Sequence, residues 1–145
     1  MIAVLPTLSM NLSAVFIAAL AAFVVGFLWH GPLFGATWMK LMGISKAEME
    51  AAKAKGMGAM APQMIAAFVQ QFVMAAVVAQ LAGALGVSGA SEAVFFAAML
   101  WLGFIATTLL NGVLWEKRKM ELYLFNIAYH LVALVIMTLI VVLWR

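Results

Sequence analysis

WLGFIATTLLNGVLWEKRKMELYLFNIAYHLVALVIMTLIVVLW, residues 101–144, is two long apolar runs joined by a charged hexapeptide, Glu116 to Glu121. Each run is long enough to leave water altogether, since about 20 mostly apolar residues cross about 30 Å of hydrocarbon. The polar exceptions fall in pairs, Thr107 with Asn111 and Asn126 with His130. Spacing of i, i+4 puts both members of a pair on one helical face. Reversal of the chain at the hexapeptide is expected to bring the two pairs to matching depths in a bilayer.

Composition extends this reading to the whole chain. Of its 145 residues 68% are hydrophobic and 9% charged, where a soluble domain carries roughly a quarter charged. The length allows one compact membrane domain, residues 1–145. With no cysteine, disulfides, thiolate chemistry and Cys-ligated metals are excluded. The net charge of +3 sits in the connections between apolar runs. There, Lys40, Lys53, Lys55, Lys117, Arg118 and Lys119 are expected to face anionic headgroups, at about 1 kcal/mol each. No basic face or recognition motif points to nucleic acid. No Lys or Arg precedes the first apolar run, so the basic start of a signal peptide is missing and the run is read as a retained span.

Four spans are expected, at about 10–29, 62–85, 92–115 and 122–144, with connections at 30–61 and 116–121. Ser9 or Asn11 caps the first, its side-chain oxygen taking an orphan N–H. Ala14, Ala18, Ala22 and Gly26 form an i, i+4 ladder of small residues, which lets helix backbones approach closely. Ala67, Ala75, Ala79 and Gly83 make a second such face on span two. Trp29-His30-Gly31-Pro32 ends span one, because proline disfavours helix at the residue before it. A short interfacial helix follows over 34–42, stopped by Gly43. Ser45-Lys46-Ala47-Glu48 has the form of a capping box and starts another short helix. Pro62 opens span two, and Ser91 caps span three. Trp29, Trp38, Trp115 and Trp144 mark the headgroup levels.

The first and third connections share one side and hold Lys40, Lys46, Lys53, Lys55, Lys117, Arg118 and Lys119, seven of the eight basic residues. The positive-inside rule then puts both connections in the cytoplasm and both termini outside the bacterial inner membrane. The expected fold is all-α: a membrane-embedded antiparallel four-helix bundle of two hairpins, with the interfacial helix between spans one and two.

Gln70, Gln71, Thr107, Asn111, Asn126 and His130 are the intramembrane polar residues that must turn inward, because an unpaired polar group in hydrocarbon costs several kcal/mol. At ~1.5 Å per residue, Gln70, Thr107 and His130 fall ~12 Å below the basic boundary. One reading makes them interhelical glue. The other makes them a wet path in which His130 relays protons. His30, at a helix end, is read as a cap. No Asp, Glu, Lys or Arg lies inside a span, which argues against ion-coupled pumping. Two histidines without nearby acids make a poor metal site, and the twelve methionines are read as flexible packing rather than copper ligands. No phosphate loop, nucleophile elbow or HExxH is present. The expectation is therefore a non-enzymatic protein without catalytic residues, cofactor or metal. It forms a homo-oligomer or serves as an accessory subunit of a larger membrane complex. The alternative is a channel or carrier for protons or a small solute lined by Gln70, Thr107, Asn111, Asn126 and His130.

Two stretches also resemble a known family. Trp29-His30-Gly31-Pro32-Leu33-Phe34-Gly35 with Trp38-Met39-Lys40-Leu41-Met42-Gly43, and Trp101-Leu102-Gly103-Phe104-Ile105-Ala106-Thr107-Thr108 with Asn126-Ile127-Ala128-Tyr129-His130, are similar to the recurrent stretches of domain-of-unknown-function family 1761. The resemblance covers essentially the whole chain and implies a small bacterial integral membrane protein of four spans. It implies no activity. His30 departs from the tyrosine expected there, so no proton role for His30 comes with the resemblance.

Overall fold

The computed structural model describes residues 10–145; Ser9 lies outside the described residues. All regular structure among them is helical. Four helices are long and apolar enough to cross a membrane: Leu12–Leu33, Met57–Ala84, Gly89–Trp115 and Met120–Leu143, called spans one to four from here on.

The ends of the spans follow local chemistry. Asn11 caps span one, its Oδ1 accepting from the N–H groups of Ser13 and Ala14 at 3.0 and 3.2 Å. The helix widens at Trp29–Leu33, where the Phe34 N–H reaches back five residues to the Trp29 carbonyl. Gly31 leaves helical geometry there, with φ −114° and ψ −106°. Helices Gly35–Met42 and Lys46–Ala54 follow, the first stopped by Gly43 in the left-handed region at φ 71° and the second capped by the Ser45 hydroxyl. Span two starts at Met57, five residues before Pro62. Proline therefore sits in the second turn and not at the start, because Gly56 at φ 80° already reverses the chain. Span three starts at Gly89 and not at Glu92; the Ser88 N–H donates to the Glu92 carboxylate at 2.8 Å, so Ser91 is not the cap.

Packing runs opposite to that of a soluble core. Ala14, Ala18, Ala19 and Ala22 of span one, Ala75 and Ala82 of span two, and Ala93 and Ala97 of span three are buried, whereas Phe104 is 71% and Phe95 67% exposed. In lipid, large side chains gain little by turning inward, and small ones allow close backbone approach. The tightest approach is at Gly26, where an added Cβ would stand 2.8 Å from the Tyr129 hydroxyl. Span four is the axis of the molecule. It packs on spans one, two and three, span one also packs on span two, and span three is held substantially by span four alone. The start of span one meets the end of span four through Asn11 and the Trp144 carbonyl. Arg145 reaches the Val87 carbonyl in the turn between spans two and three.

A cleft of about 540 Å³ between spans two and three, lined by Val73, Val77, Leu81, Phe104 and Ile105, has Leu134 of span four at its floor. One expectation is corrected here: spans three and four do not reverse symmetrically. Trp101 Nε1 donates to the Ile127 carbonyl and the Tyr123 hydroxyl to the Ala106 carbonyl, both at 2.7 Å. The Arg118 side chain lies across Gly112. In this register span three overruns the start of span four by about two turns, so Thr107 stands beside the first turn of span four and His130 lies deeper.

Close packing of the seam gives the first test. Leucine at Ala18, fully buried against its neighbours, is expected to destabilise the protein by about 1–3 kcal/mol through overpacking. Leu20→Ala on the exposed face of the same helix should change little. Unfolding by steric trapping in bicelles measures both.

Candidate functional site

Near the basic end, spans one, two and four border a half-open cavity of about 580 Å³. The widened turn at Trp29–Leu33 positions His30 on its wall. His30 Nδ1 lies 2.9 Å from the Gly26 carbonyl; a carbonyl only accepts, so in the neutral ring Nδ1 carries the proton and Nε2 keeps its lone pair. The ring is held by aromatic edges, with centroids 5.0 Å from Tyr129, 5.6 Å from Trp38 and 5.8 Å from Phe125. Across the cavity, span two contributes Met57, Met60, Gln63, Met64, Ala67, Gln70 and Gln71. Gln71 Nε2 lies 3.4 Å from the Tyr129 hydroxyl, a long hydrogen bond and the one polar side-chain link between spans two and four among the described residues.

The six intramembrane polar residues named from the sequence do not form one cluster. Gln71 is buried and bonded to Tyr129. Gln70 is its neighbour in the middle of a 28-residue helix but is exposed, lying at both the cavity and the cleft. Thr107 is exposed and donates to its own helix at the Gly103 carbonyl, 2.7 Å away. Asn111 and Asn126 share a smaller pocket of about 230 Å³ with Arg118 and Glu116, which form an ion pair at 3.0 Å. His130 is half-buried beside the Tyr129 ring, centroids 4.8 Å apart, and makes no hydrogen bond among the described residues.

The tryptophans divide as well. Trp115 and Trp144 are exposed at the ends of spans three and four. Trp29 instead packs inward against Phe34, Phe125 and Tyr129, and Trp38 closes on His30.

Sequence reasoning missed Tyr129, Tyr123 and Trp101 as polar residues. Each presents an apolar ring with a single polar atom at its tip, and that atom finds a partner on a neighbouring span. Such residues read as apolar in a hydropathy profile. Their usual need for a partner when buried was the available signal. Gln80, whose Oε1 is buried without a partner, was also passed over.

The chain belongs to the family described as Protein of unknown function (DUF1761), whose family model matches residues 13–142. No curated protein and no solved structure matches it.

The Gln71–Tyr129 link can be measured. Tyr129→Phe leaves a buried amide short of a partner, and the double variant with Gln71→Leu removes the demand. A double-mutant cycle is expected to return a coupling of about 0.6 kcal/mol, the average for interhelical hydrogen bonds in a membrane protein. Additive single effects would show that the two side chains do not interact.

Proposed function

We propose that this member of the family is a non-enzymatic inner-membrane protein that assembles with a second copy of itself through span two. One observation carries the reading. Gln70 and Gln71 are the central pair of the span, with 13 residues on either side (57–69 and 72–84), and of the two only Gln71 has a partner among the described residues. Gln70 turns to the exposed face, at mid-helix, where lipid offers its amide nothing. A buried interhelical contact resolves that demand. A two-fold axis beside span two brings Gln70 of each copy together, since one amide both donates and accepts. The neighbouring cleft, walled by exposed Val73, Val77 and Phe104, supplies the apolar contact around it.

The small-residue ladder of span one does not support this assembly. Ala14, Ala18 and Ala22 are already buried within the chain, where span one packs on spans two and four, so that surface is not free for a second copy. A carrier path is supported less well, because of its five residues only Asn111 and Asn126 share a pocket.

The orientation in this reading puts Lys53 and Lys117 in the cytoplasm and Ser88 outside, following the seven basic residues at one end. Since the chain has no cysteine, single-cysteine variants report this cleanly. Ser88→Cys is expected to react with an impermeant maleimide on intact cells, and Lys53→Cys and Lys117→Cys only after lysis. Reaction of Lys53→Cys and Lys117→Cys from opposite sides would overturn the topology.

Self-association is tested by Förster transfer between labelled copies in liposomes over a range of protein-to-lipid ratios. Gln70→Leu is expected to weaken it about 5- to 30-fold, the equivalent of the 1–2 kcal/mol found for polar side chains in model membrane helices. Gln63→Leu, at the end of the span, should leave it unchanged. A wild-type protein that stays monomeric at every ratio would end the proposal.

A further inference from the structure

We propose that the cavity between spans one, two and four is a binding site for a soft monovalent metal ion, Cu(I), held by the thioethers of Met57, Met60 and Met64 and by His30 Nε2. The four residues line one cavity. On span two the methionines stand at i, i+3 and i+7, which stacks them along a single helical face. Along the chain they are three of twelve methionines with no repeated pattern; only the fold sets a histidine opposite them.

The donor set selects the metal. Thioether sulfur is soft and uncharged and favours Cu(I), whereas carboxylate and water favour harder ions. No group of three His, Cys, Asp or Glu side chains capable of holding a metal occurs among the described residues. A site of neutral ligands at the edge of the hydrocarbon suits a single positive charge better than a double one, because desolvation cost rises steeply with charge.

His30 is arranged as a ligating histidine is. Its Nδ1–H donates to the Gly26 carbonyl, which fixes the tautomer and leaves Nε2 with the free lone pair. A backbone carbonyl that accepts from the far ring nitrogen commonly orients the imidazole at a metal site. The edges of Trp38, Phe125 and Tyr129 further restrain the ring. Met57 and Met60 are substantially exposed at the basic end of the span. They give the ion an entry route, with Met64 and His30 less exposed.

The purified full chain in nanodiscs is titrated with Cu(I) against bicinchoninate under anaerobic conditions. Ag(I) serves as a redox-silent second probe. The absence of cysteine removes the usual competing ligand. One ion per chain is expected to bind. Met60→Leu with Met64→Leu, a volume-conserving pair, and separately His30→Gln, are each expected to weaken binding at least about tenfold, since changing even a group that only orients a ligand costs about 10–100-fold. Met99→Leu, on span three, should bind as the wild type does. Circular dichroism confirms that each variant is folded. Failure of wild-type protein to withdraw Cu(I) from bicinchoninate, or undiminished binding in the folded Met60/Met64 double variant, would overturn the site. Self-association through Gln70 is read separately, so either result stands without the other.

Discussion

The close approach of span one to span four is the constraint on which the other positions depend. Ala14, Ala18 and Ala22 carry no side chain beyond Cβ and are almost wholly buried. At Gly26 even a Cβ has no room, because the Tyr129 hydroxyl occupies its place. In hydrocarbon, apolar area gains nothing by leaving lipid for protein, so helices associate where their shapes fit and their polar atoms meet. The seam supplies both. Once the backbones are close, Tyr129 stands between spans one and two, with its hydroxyl toward Gln71 and its ring against His30.

From that seam the molecule grows unevenly. Span two is held by spans one and four together, while span three hangs on span four through buried alanines and the tips of Trp101 and Tyr123. The carbonyls that accept from those tips belong to helices, whose oxygens keep a second lone pair free. The cleft between spans two and three and the exposure of Gln70 follow from this. A three-helix cluster with a fourth helix on one flank leaves an unfilled side. At the basic end, His30 in the widened turn at Trp29–Leu33 lines the same cavity as the methionines of span two.

Much of this was legible along the chain. The number of apolar helices, the helical class, a cap at Ser9 or Asn11, the stop at Gly43 and the small-residue ladder of span one all follow from local composition and spacing. The family resemblance rested on runs such as Trp29–Gly35, and the family model covers them. The pairing of Thr107 with His130 did not survive. It assumed that two helices joined by a short charged link reverse at the same depth, whereas span three overruns and the hydrogen bonds of Trp101 and Tyr123 set the register. The polar residues were found as individuals and misjudged as a group, since i, i+4 spacing gives a shared face without saying which way that face turns.

What the sequence determined by itself was the solvent of each segment. Transfer into hydrocarbon depends on composition over about 20 residues and needs no partner. What only the tertiary structure decided was orientation about each helix axis. It turned Gln71 inward and Gln70 outward, and it gathered three scattered methionines opposite one histidine. Rotation of a helix in lipid costs almost nothing until another helix is packed against it, so that choice belongs to contacts between residues far apart in the chain.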